Sequence, residues 1–228
     1  MTACFGSWHT VRHEVVREII TTLKHVQRHP EIVWPDFKPE LAQHNARVAW
    51  IGIGICLLMG VRPFEAVRIR VHHIDSQGRW LAIKGKSNIA HRAYRLLPLP
   101  TVLADSIEML TNYSSLKPNS RLLLIYQQEG WRRKLQVADL NWILEQTALK
   151  AGLDHAPDAY SLRHLFRSEL LSAGIARHYI NYLMGHQGVG VEFYSPYLEH
   201  TPKYLEQIYL EFARNLAQRL GFDERTNS

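Results

Sequence analysis

The sequence predicts a mainly α protein with a small antiparallel β-sheet. Apolar residues recur at helical spacing along most of the chain. Only between Trp80 and Leu97 do two strand-like runs face each other across Gly85-Lys86-Ser87-Asn88. Gly and Pro stand where the helices should stop and start. With 46% hydrophobic and 21% charged residues, 228 residues suffice for one ordinary core, and disorder is excluded for most of the chain.

The elements follow in order. Residues 10–28 form an amphipathic helix with Val11, Val15, Ile19, Leu23 and Val26 on one stripe. Pro30, Pro35 and Pro39, with Trp34 and Phe37 between them, make a linker or a packed extended segment. A helix over 40–59, buried towards its C-terminal end, stops at Gly60, and Pro63 opens a short helix. Trp80–Ile83 and Tyr94–Leu97 pair as a hairpin. Further helices cover 101–112, 137–151, Ala159–Gly174, 176–184 ending at Gly185, and 203–220. The last carries Leu205, Ile208, Tyr209, Phe212, Leu216 and Leu220 on one face.

Lys and Arg number 27 against 21 Asp and Glu, a net charge of +6. A folded basic chain points to nucleic acid or another anionic surface. Cys4 and Cys56 form no CxxC, which argues against a disulfide framework or a thiolate metal site and for a reducing compartment. The longest apolar run, Val48–Val61, is too short to cross a bilayer, and no signal peptide is visible. No P-loop, GxGxxG or HExxH is present, so nucleotide, dinucleotide and zincin chemistry lack support. His9/His13 and His25/His29 are spaced to share a helix face, but nothing completes a ligand set, and no metal or other cofactor is expected.

Three clusters can carry chemistry. In Gly60-Val61-Arg62-Pro63-Phe64-Glu65, Arg62 is held between a helix stop and a helix start, where the free N–H groups also favour an anion. In Tyr160-Ser161-Leu162-Arg163-His164-Leu165-Phe166-Arg167, helical spacing puts Tyr160, Arg163 and Arg167 on one face, suited to a phosphate or simply solvated. In Met184-Gly185-His186, the His projects off a helix end, with Tyr194 and Tyr197 following. Trp131-Arg132-Arg133-Lys134 joins an aromatic to three cations and suits either a DNA backbone or a solvated loop.

Taken together these segments, over residues 41–205, resemble the catalytic domain of the tyrosine recombinases, the phage integrase family. "GVRPFEAVRI" is similar to the box of the first catalytic arginine, here Arg62, with Glu65 as its acidic support. "IKGKSN" before "AYRLLPLP" resembles the hairpin of the catalytic lysine; Lys86 holds that position, and Lys84 is the alternative. "YSLRHLFRSELLSAG" resembles the HxLRH box, placing Arg163 second and Tyr160 where the family has His. "YLMGH" resembles the LGH box and places His186. "GHQGVGVEFYSPY" resembles the longer loops of the family that carry a late nucleophile, which favours Tyr197 over Tyr194.

The resemblance implies the tyrosine-recombinase catalytic-domain fold and a DNA strand transferase working without metal or ATP through a covalent 3′-phosphotyrosyl link. Residues 41–228 would be the catalytic domain, with the 203–220 helix exchanged between protomers or docked on its own chain. Residues 1–40 would be a remnant or replacement of a core-binding domain. Lys84, Arg167, Arg132, Arg133 and Lys134 are the expected DNA contacts. The expected partner is duplex DNA bearing recombination sites, bound by a homotetramer away from any membrane, in the cytoplasm on a prokaryotic nucleoid and encoded by a mobile genetic element. A type IB topoisomerase and a non-catalytic DNA-binding relative are the competing readings.

Overall fold

The computed structural model describes residues 12–75, 79–85, 94–186 and 201–222, without the side chains of 201–205. It is mainly helical with two small antiparallel sheets. The first helix, α1 (His13–Arg28), buries Val16, Ile19, Ile20, Leu23 and Val26 against α2 (Pro39–Met59) and α5 (Val137–Lys150). Val15, expected inside, is only half-buried, while Val16 and Ile20 point inward. A strict four-residue stripe drifts around a helix of 3.6 residues per turn, and the neighbouring pairs 15/16 and 19/20 widen the face enough to meet two helices.

The proline-rich segment is packed. Pro30–Ile32 form a 3-10 turn, Val33 and Trp34 are buried, and the Trp34 ring lies 6.3 Å from that of Trp142 on α5. Helix α2 is the axis of the molecule. Almost everything on it after Ala42 is buried, because other elements pack on all its sides. Its two internal glycines admit neighbours: a Cβ on Gly52 would lie 2.9 Å from Leu140 of α5, and one on Gly54 would lie 2.5 Å from Leu103 of α4 (Thr101–Ser114).

Helix α3 (Pro63–Ala66) and a 3-10 turn at Val71–His73 lead into a three-stranded sheet. The expected hairpin, β2 (Trp80–Lys84) with β3 (Tyr94–Pro98), gains an edge strand β1 (Ile74–Asp75) that sequence patterning missed because it is two residues long. Ile83 pairs with Arg95 and Leu81 with Leu97, and these four side chains face inward.

A second hairpin, β4 (Leu124–Tyr126) and β5 (Arg132–Lys134), was not expected. It is held by α2. Asn45 donates from Nδ2 to the Tyr126 carbonyl (3.0 Å) and accepts the Tyr126 N–H (2.7 Å), standing in for a strand neighbour. His44 lies 2.8 Å from the Leu124 carbonyl through Nε2 and 3.3 Å from the Ser114 hydroxyl through Nδ1. Burial, then the charges of Arg132 and Arg47, hold its pKa below the usual value despite the Leu124 carbonyl, so the ring is neutral.

Helices α6 (Ala159–Ser172), α7 (Arg177–Met184) and α8 (Thr201–Arg219) complete the chain. Asp158 caps α6 by accepting from the Ser161 N–H at 2.7 Å, and Asn141 of α5 accepts the Ala159 N–H at 3.0 Å. Helix α8 packs on α2 and β3. The buried Tyr209 donates its hydroxyl proton to the Leu58 carbonyl (3.0 Å), Phe212 meets Phe166 at 5.7 Å between centroids, and Phe222 stacks on Trp50 at 3.9 Å.

Candidate functional site: two turns and three guanidinium groups

The C-terminal end of α2 and the C-terminal end of α7 meet at two left-handed turns, Gly60 (φ +59°) and Gly185 (φ +61°). Both positions demand glycine. A Cβ on Gly60 would lie 2.6 Å from Phe166 Cε1 and nearer still to Cδ1 of the same ring, and one on Gly185 would lie 2.6 Å from the Arg95 guanidinium. The carbonyls at these turns are free of helix bonds and accept from arginines instead.

Arg163 is pinned by them. It donates to the Gly60 carbonyl and, at 2.6 Å, to the Met184 carbonyl, and its Nη2 lies 3.4 Å from Nε2 of His186. It is only 4% exposed, whereas Tyr160 and Arg167 on the same helix are exposed. The expected shared face is therefore divided: Arg163 turns inward to the two turns and the other two face solvent. Burial, then the like charges of Arg62 and Arg95, lower its pKa to about 10, against the opposing pull of Glu65 and Tyr160. It remains charged at neutral pH.

Arg62 caps α3. Its backbone N–H donates to Glu65 Oε2 (3.1 Å), its Nη1 to Glu65 Oε1 (3.1 Å) and its Nη2 to the Gly185 carbonyl (3.3 Å). Glu65, 3% exposed, is the only carboxylate among these contacts. Burial would raise its pKa, but Arg95 and then Arg62 outweigh that and leave it below the usual carboxylate range.

His186 follows the Gly185 turn and is exposed. Burial of part of the ring, then Arg163, Arg62, Arg167 and Arg95, lower its pKa. The imidazole is neutral near pH 7 and contributes no positive charge there. Arg62, Arg163 and His186 thus converge, with Tyr160 at the start of the same helix as Arg163. Two guanidinium groups beside a neutral imidazole suit a tetrahedral oxyanion, and the imidazole can take or pass a proton.

Lys86, Tyr194 and Tyr197 lie outside the described residues. Lys84 is exposed at the end of β2, pointing to the face opposite Ile83. The Arg132–Lys134 run is not brought to this site. It packs near His44, and 16 residues of α2 at about 1.5 Å each separate His44 from Gly60, roughly 24 Å. Arg132 lies 4.9 Å over the Tyr126 ring and donates to its hydroxyl at 2.6 Å. Arg133 clamps Asp139 through two 2.6 Å bonds, and Lys134 is exposed.

Sequence reasoning missed Arg95. Its signal was present: an arginine on β3 at the same inward register as Leu97 must find a buried partner. Among the described residues no cluster of three or more His, Cys, Asp or Glu is arranged for a metal. His13 pairs with Glu169 at 2.7 Å, and the His25 and His29 rings lie 4.7 Å apart, tilted by 45°.

The structure is thus a helical domain whose paired arginines sit at two glycine turns. The profile of the phage integrase family matches residues 9–200, and the chain belongs to that family, the tyrosine recombinases. It is 24% identical over 216 residues to the tyrosine recombinase XerC of Anoxybacillus flavithermus, covering 88% of this chain and 69% of that one. Against XerD of Mycobacterium leprae it is 30% identical over 138 residues, 57% of this chain and 42% of the relative. The chain spans 42 to 69% of the length of the curated relatives it matches. Among solved structures, the XerA recombinase superposes with a TM-score of 0.57 at 14% identity, over 100% of this chain and 67% of that one. XerH bound to a difH substrate before cleavage gives 0.56 at 20% identity, over 91% and 55%. These likenesses fix the fold as that of the recombinase catalytic domain. Among the described residues no helix is long and apolar enough to cross a membrane.

Proposed function

We propose that the chain is the catalytic domain of a site-specific DNA recombinase that cuts and rejoins duplex DNA through a 3′-phosphotyrosyl link. The convergence of Arg62, Arg163 and His186 on one site carries the reading, and the DNA-bound recombinases of like fold support DNA as the partner. Arg62 and Arg163 bind the non-bridging oxygens of the scissile phosphate and stabilise the crowded transition state. The hydroxyl of Tyr160 hydrogen-bonds the same group. The phenol oxygen of Tyr197, with Tyr194 the alternative, attacks phosphorus. The P–O5′ bond breaks as the P–O(Tyr) bond forms, leaving the 3′ end esterified. Neutral His186 takes the phenolic proton, and Lys86, with Lys84 the alternative, delivers one to the departing 5′ oxygen, so a 5′-hydroxyl leaves. Attack by another 5′-hydroxyl reverses these steps and reseals without ATP. Residues 41–228 form the catalytic unit, and Arg167 and Lys84 contact flanking DNA. The active species is a homotetramer on two duplexes in the cytoplasm.

Covalent trapping tests this. The protein is incubated with nicked genomic fragments from its source, denatured in SDS, and the linked DNA recovered and sequenced. An adduct abolished by Tyr197→Phe supports the assignment, and one abolished by Tyr194→Phe moves the nucleophile. DNA binding without any adduct refutes cleavage and leaves a binding-only relative.

A further inference from the structure

The proposed chemistry leaves unexplained a third arginine buried beside the site. Arg95 is 9% exposed and enters from β3, the strand that returns from the hairpin tip. Its Nη1 donates to Glu65 Oε1 (3.2 Å) and its Nη2 to Glu65 Oε2 (2.8 Å). Each Glu65 oxygen therefore takes one bond from Arg95 and one from Arg62. The Arg95 guanidinium also lies against Gly185, where even a methyl group would not fit. The Gly185 carbonyl in turn accepts from Arg62. Contacts thus close a ring from Arg95 to Glu65, to Arg62, to Gly185 and back.

We propose that Arg95 is a positioning residue, which orients Arg62 through the Glu65 carboxylate and braces the Gly185–His186 turn. Two parallel bonds fix the plane of the carboxylate, and that plane sets where Arg62 points. Lysine, a single point donor, would leave the carboxylate free to rotate. A buried ion pair of this kind adds little net stability over apolar packing, so a geometric role accounts better for its presence. The Arg95 Nε has no partner, consistent with a side chain placed by its two Nη groups alone. The inference rests on Arg62 being a phosphate ligand, but the ring can be tested without cleavage.

The test compares wild type with Arg95→Lys and with Glu65→Gln, which breaks the same bridge from the other side. Amide hydrogen exchange is read in the DNA-free chain, together with single-turnover cleavage at saturating DNA. In Arg95→Lys, which keeps the Glu65 acceptor of the Arg62 N–H, exchange at Arg62 should rise about tenfold or more relative to Ile55 inside α2. Cleavage should fall by about 10²-fold, the usual cost of misplacing a reacting group by roughly 1 Å, with the DNA Kd changed less than about threefold. Equal acceleration at Arg62 and Ile55 in both variants would mean a purely structural role and overturn the proposal. So would unchanged exchange at Arg62. If wild type makes no adduct, the recombinase reading fails, and the exchange data still decide whether Arg95 positions Arg62.

Discussion

Replacing Gly60 by alanine tests whether the turn at the end of α2 builds the site. The residue has φ +59°, and a Cβ there would lie 2.6 Å from Phe166 Cε1 and 3.1 Å from Met184 Sδ. Placing an L side chain in the left-handed region costs about 1 kcal/mol. Forcing Phe166, fully buried against Tyr209 and Phe212, to move adds about 2 kcal/mol of overpacking. The expected loss is therefore about 3 kcal/mol, or a fall in Tm of roughly 6–12 °C for a domain of this size. Gly152 supplies the control: its φ is +73°, but nothing lies within 4 Å of a Cβ, so Gly152→Ala should cost only the backbone share, about 1 kcal/mol. Urea unfolding of both variants measures the difference. Because the Gly60 carbonyl also holds Arg163, adduct formation should fall in Gly60→Ala even where the protein stays folded, and not in Gly152→Ala. Equal stability losses in the two variants would refute the packing argument.

Glu65→Gln should cost about 3–5 kcal/mol at pH 7 by leaving the buried Arg95 and the part-buried Arg62 without their carboxylate. Because the folded-state pKa of Glu65 is depressed, its contribution is complete above the unfolded value of about 4.3 and fades as pH falls through the lower folded one. The stability gap between wild type and variant should accordingly narrow in acid denaturation. Single-turnover cleavage should need neutral His186 and so decline only below about pH 6.5; Arg167→Gln removes one of the charges that depress that pKa and should move this acid limb upward. A limb that stays in place would exclude His186 as the proton acceptor. Asp139→Asn should lower stability by about 1–2 kcal/mol, since Asp139 accepts the Gln136 N–H at the start of α5 as well as both Arg133 bonds, and should leave the salt dependence of DNA binding unchanged.

The helices were legible because each carries a repeating apolar face and a chemical stop. Gly60 and Gly185 marked two ends correctly, and Pro63 a beginning. The β4–β5 hairpin was not, because Arg132, Arg133 and Lys134 carry no alternation. Their strand is made by partners far away in sequence, with Asn45 completing the ladder and Asp139 neutralising Arg133. At the site, the types and spacing of Arg62, Arg163 and His186 were readable. Their orientation was not. Helical spacing placed Arg163 beside Tyr160 and Arg167, but the carbonyls that draw it inward come from Gly60 and Met184, and only the tertiary fold brings these near. Arg95 was hidden for the same reason: its partner Glu65 is thirty residues earlier.

The charges of the site do not cancel. Arg62, Arg95 and Arg163 bring three positive charges and Glu65 one negative, leaving an excess of two. Their mutual repulsion is evident in the depressed pKa of Arg163, where burial acts first and the other two arginines second. Backbone carbonyls at Gly60, Met184 and Gly185 hold the guanidinium groups in place without cancelling their charge. A fully paired set would be more comfortable in isolation and would have little left for a ligand. The site instead keeps its arginines ordered with one carboxylate among three of them, so on the proposed function a phosphodiester beside Arg62 and Arg163 would meet donors already oriented and would offset the excess charge. Two glycine turns and one carboxylate perform that ordering, and for that reason their substitution should impair cleavage more than binding.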